Sequence, residues 1–213
     1  MRVLYLHGFA SSAASTKAGF FAGRLRRHGI ALETPDFNAP GFSTLTVTRM
    51  VEQVVASLDA SAGPAALIGS SMGAFVSVQV ALQRPVERLV LLAPALEFAR
   101  GTDLKLGDRT LQEWERTGLT NVFHYGFGRI IPVNYALYTD ACGYDCVNAR
   151  LSMPILVFQG RRDTIVDPAT VERWASTRPN VELHMLDDDH QLGASLDYMG
   201  REVERFLGLG RPT

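Results

Sequence analysis

Residues 64–84 read PAALIGSSMGAFVSVQVALQR, and this stretch decides the fold. A short apolar run from Ala65 to Ile68 enters Gly69-Ser70-Ser71-Met72-Gly73, and a segment of helical pattern follows without a break. Strand, sharp turn and helix in that order is the context in which a G-x-S-x-G string presents a serine for nucleophilic attack. Ser71 must occupy a strained backbone so that its hydroxyl stands clear at the carboxyl end of a sheet. The positions two residues to either side must lack side chains, because strand and helix approach closely there. Ser70, the variable position of the motif, is expected to point away from the turn.

Outward from this turn the chain alternates. Short Val-, Ile- and Leu-rich runs predict strands over 2–6, 31–34, 65–68, 88–92, 155–158 and 181–186. Helical patterns fill 16–28, 44–58, 72–83, 168–176 and 195–207. Near-continuous apolar runs suit strands covered on both faces, as in a parallel sheet. Pro168 fits a first helical turn and Gly29 a helix end. The expected architecture is α/β: a doubly wound, mostly parallel sheet of about six strands with right-handed crossovers.

The alternation fails once. Roughly sixty residues separate Leu92 from Ile155, too many for a simple crossover. They carry Trp114, Phe123, Tyr125, Phe127, Tyr135, Tyr138 and Tyr144, with helical patches over 110–117 and 134–141. We read 97–150 as a helical cap inserted over the carboxyl edge of the sheet, where ligands bind in such folds, within a single domain spanning 1–213. An ordinary crossover carrying an extra helix pair is the plainer alternative.

Composition narrows the function. The 213 residues are 46% hydrophobic and 20% charged, with a formal net charge of −1, which gives no reason to invoke nucleic acid or an anionic membrane as partner. Cys142 and Cys146 are the two cysteines, too few for a disulfide framework, and their i, i+4 spacing on one helix face has no neighbouring pair to complete a zinc site. They read as reduced small hydrophobes. No stretch approaches the ~20 apolar residues of a membrane span. The opening Met1-Arg2 leads straight into VLYLHG, short of a signal peptide's apolar run, so a cytoplasmic protein is expected. Oligomeric state is not legible.

A serine hydroxyl needs a positioned base and a group that orients the base. Asp163 ends Gln159-Gly160-Arg161-Arg162-Asp163, directly after the strand at 155–158, and His190 ends Asp187-Asp188-Asp189-His190, after the last strand. All three loops should open on one rim of the sheet. The candidate triad is therefore Ser71 as nucleophile, His190 as general acid and base, and Asp163 as its orienter. Two backbone N–H groups are candidate donors to a developing oxyanion: that of Met72, at the start of a helix, and that of Phe9, in the loop Tyr5-Leu6-His7-Gly8-Phe9. Asp167, just before Pro168, is better explained as a helix cap. Asp187 to Asp189 read as a solvated charge run, and His7 as a residue that shapes its loop. His184 reads as structural, His28 sits at a helix end, and His124, in the cap, is a weaker candidate for lining a substrate path.

These residues resemble a known family. YLHGF at 5–9 with Ser11-Ser12 and Thr16-Lys17-Ala18, GSSMG at 69–73, QGRRD at 159–163 and DH at 189–190 are similar to the small bacterial α/β-hydrolase esterases, above all the YqiA-type group. The resemblance spans nearly the whole chain and is poor only through the cap. It implies a serine hydrolase for carboxylic esters of short or medium acyl chains, with Ser71, Asp163 and His190 as triad and no cofactor. It departs at Asp189, where a small residue often precedes the histidine. Lys17 and the serine pair match the family's opening, and fixing the loop that bears Phe9 is the role expected of them. A thioesterase or acyl-protein deacylase, a peptidase and a non-catalytic ligand-binding module are the competing readings. Retention of all three triad residues weighs against the last.

Overall fold

The computed structural model describes residues 1–100 and 106–210. Its first half runs β1 (Arg2–Leu6), α1 (Thr16–Arg26), β2 (Leu32–Glu33), α2 (Val47–Asp59), β3 (Ala65–Ser70), α3 (Met72–Ala81) and β4 (Arg88–Leu92). Then come α4 (Leu111–Thr117), β5 (Leu119–His124), β6 (Arg129–Asn134), α5 (Ala136–Ala141), β7 (Ile155–Gly160), α6 (Pro168–Ser176), β8 (Val181–Leu186) and α7 (Leu196–Phe206).

Six strands form one sheet in the order β2-β1-β3-β4-β7-β8, and every pairing in it is parallel. The apolar runs have a simple cause: alternate residues feed two different cores. Leu4, Leu67, Leu89, Leu91, Ile155 and Val157 belong to the core on one face, under α2, α3 and α6. Val3, Tyr5, Ile68, Val90, Leu156 and Phe158 belong to the core on the other, under α1 and α7. The chain leaves β1 in one direction to form β2 and returns on the other side to form β3. Strand order thus reverses between β1 and β3, and ligands bind at the carboxyl ends of such a pair. Among the described residues no helix is long and apolar enough to cross a membrane.

Two strand expectations shift. β3 and β7 each run two residues further than read, through Gly69-Ser70 and Gln159-Gly160. The edge strand expected over 31–34 shrinks to Leu32–Glu33, because it pairs on one side only.

The larger correction concerns the insertion. Of 97–150, residues 101–105 lie outside the described residues. The remainder is not wholly helical. Between α4 and α5, both close to the expected patches, lies an antiparallel hairpin, β5 with β6. Its signal was the alternation Thr120, Val122, His124, all buried, against exposed Leu119, Asn121 and Phe123. Period two is a strand pattern, and Tyr125-Gly126-Phe127-Gly128 makes the turn, with Gly128 at φ 63°. The cysteines are also corrected. α5 ends at Ala141, so Cys142 and Cys146 share no helix; Cys142 is exposed and Cys146 is buried, both as free thiols. Burial pushes the Cys146 thiol up to about 12, and Gln79 Nε2 donates to its sulfur at 3.1 Å.

Hydrogen bonds from α5 and from the hairpin hold this segment at the carboxyl edge. Asp140 of α5 accepts from the Thr48 backbone N–H at 2.8 Å and its hydroxyl at 2.6 Å, which satisfies an orphan donor in the first turn of α2. At the hairpin tip, the Tyr125 N–H donates to the Ala10 carbonyl at 2.9 Å.

Candidate active site

Ser71 has φ 54° and ψ −115°, a conformation that L-residues rarely adopt. The neighbours hold it there. Its N–H donates to the Leu92 carbonyl at 2.8 Å, and its own carbonyl accepts from Ala74 and Ala95. Gly69 and Gly73 are required by contact rather than by torsion. A Cβ on Gly69 would stand 2.6 Å from Ala74 Cα, and one on Gly73 would overlap the Leu6 carbonyl and stand 2.8 Å from the His7 carbonyl oxygen. Backbone cannot move aside as a side chain can. Gly73→Ala is therefore expected to lower unfolding stability by about 3 kcal/mol or more, measured by urea unfolding. A variant within ~0.5 kcal/mol of the parent, an ordinary surface-level effect, would refute the close-approach account.

The acid and histidine loops are sewn together by backbone. Arg161 N–H donates to the Leu186 carbonyl at 2.8 Å, and Arg162 N–H to the Asp188 carbonyl at 3.0 Å. Gly160 permits this, since a Cβ there would meet the Asp188 carbonyl oxygen at 2.5 Å. Asp188 departs from the expected solvated run. It is buried, and its carboxylate accepts from the N–H groups of Asp189 at 2.8 Å and Ser195 at 2.9 Å, folding the loop that carries His190. Asp187 is exposed and ion-paired with Arg162, while Asp189 accepts from the Gln191 N–H. Asp167 caps α6 through the Ala169 N–H, as read.

Three side chains meet on this rim. His190 Nδ1 lies 2.8 Å from Asp163 Oδ2, and Nε2 lies 3.1 Å from Ser71 Oγ. With Nδ1–H donating to the Asp163 carboxylate, Nε2 is left as the acceptor for the serine hydroxyl. The Asp163 side chain is fully buried. Burial alone would raise its pKa, but hydrogen bonds from His190 and from the Val166 and Ile165 N–H groups outweigh it and hold the carboxyl below the usual range.

Opposite these three side chains, Gly8 backs onto the turn at Ser71: a Cβ there would stand 3.1 Å from the Ser70 carbonyl oxygen and 3.3 Å from Ser71 Cβ. Phe9 follows, and Met72 opens α3, where its N–H has no partner within the helix. The loop is braced as expected by His7, whose Nδ1–H donates to the Gly8 carbonyl at 2.9 Å while Nε2 accepts from the Phe37 N–H at 3.1 Å. Burial lowers the His7 pKa, which agrees with a neutral ring using both nitrogens in this way. Ser70, the variable position of the motif, is buried.

Two expectations are revised. His124 does not line a path. It is fully buried, stacked on Phe127 and edge-on to Phe42; Nε2–H donates to Asn38 Oδ1 at 3.0 Å, and Asn38 Nδ2 donates to the Ser11 carbonyl at 3.0 Å. This chain ties the hairpin to the loop bearing Phe9. Lys17 does not fix that loop. Its Nζ donates to the Gln191 carbonyl at 2.8 Å, beside His190, with Asp188 and Asp189 as charged neighbours. The sequence reading missed Asn38 and Gln159. Gln159 Nε2 donates to Asp163 Oδ2 at 2.9 Å, and its signal was a lone amide in an otherwise apolar strand.

Other features stand apart from Ser71, His190 and Asp163. A cavity of about 870 Å³ beside α6 is lined by Leu96, Arg150, Arg173, Trp174 and Arg178 among others, and includes none of the three residues. Glu182, His184 and Glu202 are grouped closely enough to suit a metal ion, but Arg205 already pairs with both carboxylates.

Several solved structures share this architecture. Est1E from Butyrivibrio proteoclasticus, in a structure with ferulic acid bound, superposes with a TM-score of 0.83 at 19% identity, over 96% of this chain and 87% of the other. Alpha/beta hydrolase domain-containing protein 10 from mouse gives 0.80 at 20% identity, over 97% and 89%. A monoacylglycerol lipase from Paleococcus ferrophilus gives 0.72 at 15% identity, over 96% and 93%. No curated protein sequence matches the chain. At these identities the similarity establishes the fold, that of the α/β-hydrolases. Residues 2–206 match the model of the family described as "Uncharacterised protein family (UPF0227)", and to that family the chain belongs.

Proposed function

We propose that this protein is a serine hydrolase that cleaves carboxylic esters through an acyl-enzyme on Ser71. The observation that carries the reading is the continuous hydrogen-bonded path from Asp163 through His190 to the strained Ser71, residues 92 and 27 positions apart in sequence (163 − 71; 190 − 163). In the proposed cycle Ser71 Oγ attacks the ester carbonyl as His190 Nε2 takes its proton. Asp163 keeps the ring in the Nδ1–H tautomer and stabilises the imidazolium that forms. The N–H groups of Phe9 and Met72 receive the developing oxyanion, each such donor being typically worth ~3 kcal/mol in the transition state. Collapse breaks the bond to the alkoxide oxygen, which leaves as alcohol with the proton from His190. Water, deprotonated by His190, then releases the acid and restores Ser71. None of these steps calls on a metal or an organic cofactor.

The similarity to Est1E and to a monoacylglycerol lipase supports esters as the substrate class. The same reading takes 1–213 as one domain, with 97–150 as an insertion that borders the site. Phe9 packs on Phe42 at 5.2 Å beside the elbow, an apolar flank suited to an acyl or aryl group. The test is turnover of p-nitrophenyl esters from acetate to decanoate beside acyl thioesters of the same chain lengths. The expected result is a higher kcat/KM for esters, greatest at short to medium chains. Turnover of thioesters alone would reassign the protein as a thioesterase, and turnover of neither would refute the reading.

A further inference from the structure

We propose that Gln159 is a positioning residue, which holds the Asp163 carboxylate and through it the His190 imidazole in register for proton transfer. The proposal rests on the esterase reading and names a residue to which that reading gives no role. β7 is buried along its whole length, and Gln159 is 0% exposed. A buried amide costs stability wherever its polar atoms are not all partnered. Here one is not: Gln159 Oε1 has no hydrogen-bond partner among the described residues. An apolar side chain of similar length would fill the same space without that orphan. What such a side chain would forfeit is the other end of the amide. Gln159 Nε2 donates at 2.9 Å to Asp163 Oδ2, the same oxygen that accepts from His190 Nδ1 at 2.8 Å. Its contacts to the Gly160 and Val166 carbonyls are longer, at 3.2 and 3.5 Å. Turning the amide over would aim its oxygen at a carboxylate, so the orientation is settled by charge.

With the Ile165 and Val166 N–H groups on Oδ1, four donors then surround Asp163, which fills the acceptor sites of an ionised carboxylate. Two consequences follow. The carboxylate is pinned at both oxygens by groups other than His190, so it cannot swing with the ring. In addition, Oδ2 divides its charge between two donors, which moderates its pull on the imidazolium. Removing the amide loosens the carboxylate and leaves Oδ2 to the His190 N–H alone.

The experiment is Gln159→Met, similar in length and without polar hydrogen. Three results are expected together: kcat about tenfold lower at nearly constant KM, the scale of losing one hydrogen bond to a charged group; the acid limb of kcat/KM displaced to higher pH; and a Tm close to that of the parent, since loss of the bond to Asp163 is offset by loss of the orphaned oxygen. Gln159→Glu donates to Asp163 only while its own carboxyl is protonated, so its rate relative to the parent should recover at low pH and decline as pH rises. The proton resonance of His190 Nδ1–H, read in the resting protein, should move in Gln159→Met. Unchanged kcat, pH profile and resonance would overturn the proposal, as would a loss of rate that merely tracks a lower Tm. If the parent turned over no ester, the esterase reading would fall, while the His190 resonance would still decide whether Gln159 acts on the Asp163–His190 pair.

Discussion

Ser71→Ala is expected to abolish labelling by a fluorophosphonate and to lower kcat/KM for esters by a factor on the order of 10⁴ to 10⁶. The reagent reports on the nucleophile alone: a bond forms from Oγ to phosphorus, fluoride leaves, and His190 takes the hydroxyl proton. The residual rate would come from the oxyanion donors and binding, which the substitution leaves in place. Stability should not fall in step. Ser71 occupies a positive-φ position that alanine tolerates no better, but its backbone bonds to Leu92, Ala74 and Ala95 do not involve the hydroxyl. Labelling that survives in the variant would remove Ser71 from the mechanism, and with it the functional account.

Asp163→Asn is expected to lower kcat by about 10⁴, the loss seen when an amide forces the histidine of such a triad into the wrong tautomer. An amide nitrogen at the Oδ2 position would face two donors, His190 Nδ1–H and Gln159 Nε2. An amide oxygen there would leave the nitrogen against the Ile165 and Val166 N–H groups. Neither rotamer satisfies the site. A pH signature should accompany the loss. Because the folded carboxyl titrates below its unfolded value, the charged group contributes stability that is fully present above the ordinary carboxylate pKa of ~3.9. That contribution disappears as pH falls through the folded value. The parent should therefore exceed the variant in unfolding free energy near pH 7, and the gap should close below pH 4. A gap that stayed constant from pH 3 to 7, or a kcat within tenfold of the parent, would contradict the assignment.

The candidate site was legible to an unusual degree because its residues sit at strand ends. Ser71, Asp163 and His190 each follow an apolar run, and a parallel sheet delivers all such ends to one rim. What pairwise reading could not reach was support that comes from elsewhere in the chain. Lys17 meets the His190 loop 174 positions away in sequence, and His124 braces the loop bearing Phe9 through Asn38. Neither contact leaves a pattern in neighbouring residues. The hairpin at β5 and β6 was different: its alternation was present and was outweighed by the aromatic content around it.

From sequence alone come the parallel sheet, the strand–turn–helix at Ser71 and the places of Asp163 and His190 after strand ends, since periodicity and motif order are properties of the chain itself. Only the tertiary structure decides that Asp188 is buried rather than solvated, that Gly160 lets two loops join, and that Gln159 spends one end of its amide on Asp163. The physical reason is that burial and hydrogen-bond partnership are relations between segments. They come into being when the sheet closes and brings distant backbone within 3 Å or so.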